Sequence, residues 1–375
     1  MSTNALIALM LACCLLSLGC TGANQAQPNE QAYKPQNRTY FIAAENVLWN
    51  YAPNLTGLAV SGNPWLNQTV YKKVRYIEYT DGTFTVKKPQ PVWLGILGPI
   101  IRGVPGDTIT VVFYNKADLP YSMHPHGLRY DKSDEGSMPM ESMGMAAIAN
   151  QSPPAAMPGT NGSQSMQAAG GTLAPSSEVY PGDEVMPGQK YTYAWNVTNE
   201  SGPGAGEGST KLWFYHSHVD AVTDVYDGLI GPIIITAPAY AKEDATPIGV
   251  DKEFVALFMI FDESASHLHL DALEGNKKDA INGYIFNNLG GLTMNKGDKV
   301  KWYIIGMGNE ADLHTPHWHG ETVSVDGTHT DVVEVLPATT VTADMDAENV
   351  GIWAFHCHVA DHMTAGMMAV YTIKG

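Results

Sequence analysis

Apolar and polar positions along this chain alternate with a period of two over short runs, and no long stretch repeats with the wider period of a helix. TYFIAAENVLWNYA from Thr39, KKVRYIEYT from Lys72 and GDTITVVFYN from Gly106 each read as a strand bounded by turn-forming residues. Strand signals resume at QKYTYAWNV from Gln189 and LIGPIIITAP from Leu229, and DKEFVALFMIFDES from Asp251 starts a second set. GDTITVVFYNK at 106–116 and GDKVKWYIIGM at 297–307 occupy equivalent places, each ahead of a histidine cluster, so two related β-domains in tandem are the simplest account. The predicted fold class is all-β.

Composition sharpens this picture. A chain of 375 residues, 44% of them hydrophobic, can bury two cores, and 37 Gly and 23 Pro supply the turns. The predicted organisation is a leader and flexible segment over 1–30, a first domain over 31–240 and a second over 241–375. Residues 137–178, rich in Met, Ala, Gly, Ser and Pro without an apolar period, read as a mobile insertion, and 239–250 reads as a linker. A net charge of −17 argues against nucleic acid or an anionic membrane surface as partner and favours visiting cations. Sequons such as Asn54-Leu-Thr and Asn196-Val-Thr leave glycosylation open.

The apolar run ALIALMLACCLLSLG, ending at Cys20, is shorter than a membrane span and reads as an export signal, which predicts a periplasmic or extracellular protein. LSLGC resembles a bacterial lipobox and makes Cys20 a candidate lipid anchor, although the charged head expected before the run is missing. Cys13, Cys14 and Cys20 all lie in this leader, so Cys357 is alone in the folded part and no disulfide framework exists.

Ten of the thirteen histidines fall into four clusters: HPH at 124–126, HSH at 216–218, HTPHWH at 314–319 and HCHVADH at 356–362. In a strand, residues two apart share a face. His356 and His358 therefore face one side and Cys357 the other. His317 and His319 share a face, and His314 can turn to the opposite one. Cys357, His314, His362 and Met367 together suit a blue copper centre, with zinc as the competing metal. On the other side stand His124 and His126, His216 and His218, His317 and His319, and His356 and His358, a set of neutral imidazoles that suits three copper ions.

These clusters, with YPGDEVMPGQKYTYAW, YHSHVDA, GLIGPIII, INGYIF, GLTMNKGDKVKWYIIGMGNEADLHT and HCHVADHMTAGM, resemble the multicopper oxidases, and within them the ceruloplasmin and hephaestin branch, over most of residues 38–375. The resemblance implies two tandem cupredoxin-like Greek-key domains. It implies one type 1 copper on His314, Cys357, His362 and Met367, and one type 2 copper on His124 and His317. The type 3 pair would fall to His126, His216, His218, His319, His356 and His358. Ser217 stands where a first-domain blue site would need cysteine, so one blue centre per chain is expected. The implied activity is oxidation of a small reductant, Fe(II), Cu(I) or a phenol, coupled to reduction of O2 to water.

Glu135 and Asp220 are candidates for proton supply, or ordinary surface acids. Asp361 and Glu263, with His267 and His269 nearby, are candidates for receiving a divalent ion. Met138, Met140, Met143, Met145, Met157 and Met166 suggest a cuprous surface instead, or a plain linker. A copper nitrite reductase and a copper-binding structural or storage protein are the rival readings. Each domain supplies half of the shared histidines, so a ring of three chains, by analogy with the six-domain ceruloplasmin-like ring, is expected to close each cluster; a monomer whose two domains clasp it is the rival.

Overall fold

A computed structural model describes residues 33–54, 68–138, 179–269 and 276–375. The leader with Cys20 and nearly all of the Met-rich stretch lie outside these residues. The first domain contains β1 (Asn37–Asn50), β2 (Val70–Tyr79), β3 (Ile101–Gly103), β4 (Thr108–Asn115), β5 (His124–Pro125), β6 (Lys190–Asn196), β7 (Thr210–His216) and β8 (Ile230–Thr236). The second contains β9 (Lys252–Asp262), β10 (Lys277–Ile281), β11 (Thr293–Asn295), β12 (Lys299–Gly306), β13 (Pro316–Trp318), β14 (Val323–Val325), β15 (Thr328–Thr330), β16 (Thr339–Asp346), β17 (Gly351–Cys357) and β18 (Met368–Lys374). Two short helices, α1 (Thr223–Asp227) and α2 (Ala360–Ala365), follow the last histidine pair of each domain.

The strand orders show the duplication that the sequence suggests. Sheets β2-β1-β4-β6 and β3-β8-β7-β5 form the first domain, and β10-β9-β12-β16-β14-β15 and β11-β18-β17-β13 form the second. In each, the opening strand runs parallel to the strand of the repeated GD motif, β1 with β4 and β9 with β12. The histidine strands also pair in the same way: His124 lies opposite His216, and His317 opposite His356.

The three largest cores among the described residues follow from side-chain alternation. One face of β1, β2 and β4 buries Ile42, Val74, Tyr76, Val111 and Phe113 inside the first domain, and Trp302, Trp318, Phe355 and Tyr371 fill the second. The third core lies between the domains. Leu212, Phe214, Ile230 and Ile234 from β7 and β8 pack on Val255, Leu257, Met259 and Phe261 of β9 and on Tyr303 and Ile305 of β12. Strands β8 and β9 thus bury both faces, which is why IIIT and FVALFMIF read as unbroken apolar runs. The segment expected to be a linker is packed as well: Ala241 and Ala245 are buried against Val104, and the Thr236 hydroxyl donates to the Ala245 carbonyl at 2.6 Å. Small side chains let that backbone lie flat on the domain.

Candidate metal centres

β17 delivers Cys357 to the core face and His356 to the outer one, as strand parity requires. Cys357 is buried, and one ligand atom from each of His314, Cys357 and His362 lies within 4.8 Å of the others. Its Sγ stands 3.9 Å from His314 Nδ1 and 3.7 Å from His362 Nδ1. Met367 is fully buried in the same core, and its carbonyl accepts the Cys357 N–H at 3.1 Å. Burial alone would push the thiol up, but the two imidazoles and the backbone N–H groups of Thr315 and Val359 bring it down to about 6. A residue missed in the sequence, Asp312, completes this site. It is buried, accepts N–H groups from Ile260 (2.7 Å) and Asn309 (2.9 Å), and holds His314 Nε2 at 3.1 Å, so Nδ1 is left facing the sulfur. Its position two residues before His314 was the available signal.

The other histidines form two quartets. In the first, His124 Nδ1 donates to the Glu135 carbonyl at 2.7 Å and His216 Nδ1 to the Ser217 carbonyl at 2.8 Å, while His126 Nε2 and His216 Nε2 converge to 3.2 Å. In the second, His317 Nδ1 donates to the Asp331 carbonyl at 2.9 Å and His356 Nδ1 to the Cys357 carbonyl at 2.8 Å, with His319 Nε2 and His356 Nε2 at 2.9 Å. Anchoring Nδ1 on a carbonyl fixes the tautomer and leaves the Nε2 lone pair free. Burial and the neighbouring imidazoles hold His126 down to about 4 and His216 well below the usual range, so these rings are neutral and ready to coordinate. Among the described residues, ring contacts run within each quartet and none joins the two.

The carboxylates expected at these sites divide. Glu135 supports His124 through its carbonyl, while its side chain pairs with Lys132. Asp220 receives the Val222 and Thr223 N–H groups at 3.2 and 3.1 Å and so starts α1. Asp361 is exposed in the first turn of α2, directly before His362. Glu263, a candidate for receiving a divalent ion, is not at the surface. It is fully buried between the domains, 2.5 Å from both Lys73 Nζ and the Tyr51 hydroxyl, with His269 Nε2 at 3.4 Å. Both close contacts fall on Oε1, and Oε2 has no hydrogen-bond partner among the described residues. Glu263→Ala should therefore destabilise the fold by about 3–5 kcal/mol, because Lys73 is left buried and unpaired, as a urea titration would show. Asp279 on β10 is, after Asp312, a second buried acid near His314 and His362 that the sequence pattern did not reveal. Burial pushes it up to about 6, and His362 and His314 are close enough to pull it back.

Comparison with known proteins agrees with this geometry. Residues 262–375 match the multicopper oxidase family model. Ferroxidase HEPHL1 of Homo sapiens is 35% identical over 90% of this chain and 29% of its own length; hephaestin of Rattus norvegicus is 35% identical over 92% and 30%, and ceruloplasmin of Homo sapiens 34% over 92% and 32%. The chain thus spans under a third of the length of these relatives. Among solved structures, a multicopper oxidase superposes with a TM-score of 0.58 at 16% identity, covering 90% of this chain and 89% of that one. The blue copper oxidase from Nitrosomonas europaea gives 0.52 at 18% identity, over 91% and 86%. These superpositions establish the cupredoxin-like fold. Residues 262–375 thus match a multicopper oxidase domain, and about nine-tenths of the chain is similar in sequence to part of these larger proteins.

Proposed function

We propose that this chain is the repeating unit of an oxidase that couples one-electron oxidation of a small reductant to reduction of O2 to water. The observation that carries this reading is Cys357, which reaches one site while the residues on either side, His356 and His358, belong to another. We assign His314, Cys357, His362 and Met367 to a type 1 copper, His124 and His317 to a type 2 copper, and the six remaining quartet histidines to a type 3 pair. Thiolate, thioether and neutral imidazoles, with no carboxylate in the first shell, suit copper. Copper held there supplies the one-electron chemistry at both ends. The chain's residues do the rest: Asp312 fixes His314, the carbonyls fix the quartets, and two peptide bonds link Cys357 to His356 and His358. Glu135, whose carbonyl holds His124, and Asp220, two residues after His218, remain the candidates for delivering protons. A nitrite reductase or storage reading gives no use for two such quartets.

The domain boundary near 240, export with or without a lipid at Cys20, and the ring of three chains belong to the same proposal. Support for the ring comes from one asymmetry. On β7, the face carrying His216 also carries Leu212 and Phe214, and the second domain covers both. On β17 the matching face carries Ile352, which is 72% exposed, beside a quartet whose His319 and His358 are exposed. An apolar face next to half a metal site fits a second copy of this chain, with a first domain supplying the other half.

Metal ions are the reductant favoured here, since Asp361 and Asp279 place carboxylates outside and beneath His362, and one of the relatives is named a ferroxidase. Oxygen uptake with ferrous, cuprous and phenolic donors tests this. Asp361→Ala should lower kcat/KM for Fe(II) about tenfold and leave phenol turnover unchanged. Equal losses on both donors would remove Asp361 from the receiving site. Copper per chain, measured alongside, separates this failure from failure of the oxidase reading.

A further inference from the structure

The place in the first domain that corresponds to the Cys357 site is lined by hard donors. β7 passes through Ser217 into α1 and the left-handed Gly228 (φ 113°), as β17 passes through Cys357 into α2 and Gly366 (φ 118°). Asp224 and Asp227 lie on α1, and His267 arrives from the segment after β9. One ligand atom from each of these three lies within 4.8 Å of the other two. We propose that Asp224, Asp227 and His267 bind a borderline divalent cation of the Mn(II), Fe(II) or Zn(II) class, apart from the copper centres.

Both carboxylates are buried and already oriented. Asp227 accepts the Ser266 hydroxyl on Oδ1 at 2.6 Å and the Tyr121 hydroxyl on Oδ2 at 3.1 Å. Asp224 accepts the Ser217 hydroxyl at 2.6 Å and the Asp220 N–H at 3.1 Å, both on Oδ2. Both bonds fall on the same oxygen, and the residue is 2% exposed. Neutral hydroxyls orient these acids without matching their charge, and Lys73, the nearby ammonium, is committed to Glu263 (2.5 Å) and the Tyr226 carbonyl (2.7 Å). Burial accordingly pushes Asp224 up to about 8, so that it holds a proton at neutral pH unless a cation takes that place.

Access and donor chemistry are consistent with this site. His267 is 45% exposed at the rim, with Asp220 Oδ2 3.7 Å from its Nε2, so an ion can arrive from solvent past two donors. Two carboxylates and an imidazole suit a borderline ion rather than Cu(I). Metal–donor bonds of roughly 2.0–2.2 Å place donors about 3.0–3.5 Å apart, so atoms that already lie within 4.8 Å of one another would draw together as the ion binds.

Anaerobic titration of the copper-loaded chain with Mn(II) alone, following the free-ion EPR signal, tests the site. About one Mn(II) per chain should be retained, with affinity lowered about tenfold or more in Asp224→Asn, Asp227→Asn and His267→Ala. Asp361→Ala should retain it unchanged. His267→Ala alters only the exposed rim, which keeps the test valid should a buried variant fail to fold. If no Mn(II) is retained, or if folded His267→Ala and Asp227→Asn retain it as the parent does, the carboxylates only share a proton and the site is wrong.

Discussion

Cys357→Ser is expected to abolish the intense visible band and bring oxygen consumption down to that of the copper-free protein. The thiol is the one soft anionic donor in its site and is already drawn down to about 6 by His314 and His362, whereas a serine hydroxyl stays protonated and binds copper poorly. Copper content should fall by only about one ion per chain, because the quartets are built on separate side chains on the opposite face of the strand. The fold should survive, since serine is close in size to cysteine. The measurement is a visible spectrum with a metal assay on the same sample. A variant that keeps its colour would place the blue centre elsewhere.

The second large effect is restored activity from two dead chains. His126→Ala with His218→Ala removes half of the first quartet, and His319→Ala with His358→Ala half of the second, so each double variant alone should be inactive. In a ring, each cluster takes one quartet from each of two neighbouring chains. After random exchange at equal concentrations, the interface is intact when a chain with a whole second quartet precedes one with a whole first quartet. That happens at about one interface in four, so about a quarter of the parent turnover should return. If mass analysis shows exchange while turnover stays at zero, the cluster lies within a chain and the ring is wrong.

The grouping of Cys357 and the histidines on opposite faces was legible because strand parity is a local rule. Cys357 between His356 and His358, and His314 three residues before His317, could be assigned to opposite faces without knowing where any strand packs. What could not be read depends on distant partners. Glu263 has the same neighbours in sequence whether it faces solvent or a buried lysine, and Lys73, which decides the matter, belongs to the other domain. Asp279 lies in KKDAI, which has no pattern pointing to the Cys357 site; only the pairing of β10 with β9 brings it there. The packing of the 239–250 segment was hidden for a related reason: Ala241 and Ala245 look like spacer residues, yet both are buried against Val104.

The apolar layer shared by β7, β8, β9 and β12 also sets how this molecule loses its structure. Leu212 and Ile234 on one side and Leu257 and Ile305 on the other are all fully buried, so neither domain can open without exposing the other's hydrophobic face to water. The bidentate pair of Arg102 with Glu253, at 3.1 and 2.9 Å, and the Lys73–Glu263 contact cross the same boundary. Two domains joined in this way should melt as a single cooperative unit: calorimetry is expected to show one endotherm rather than two, and a nick in the connecting segment should leave both halves associated.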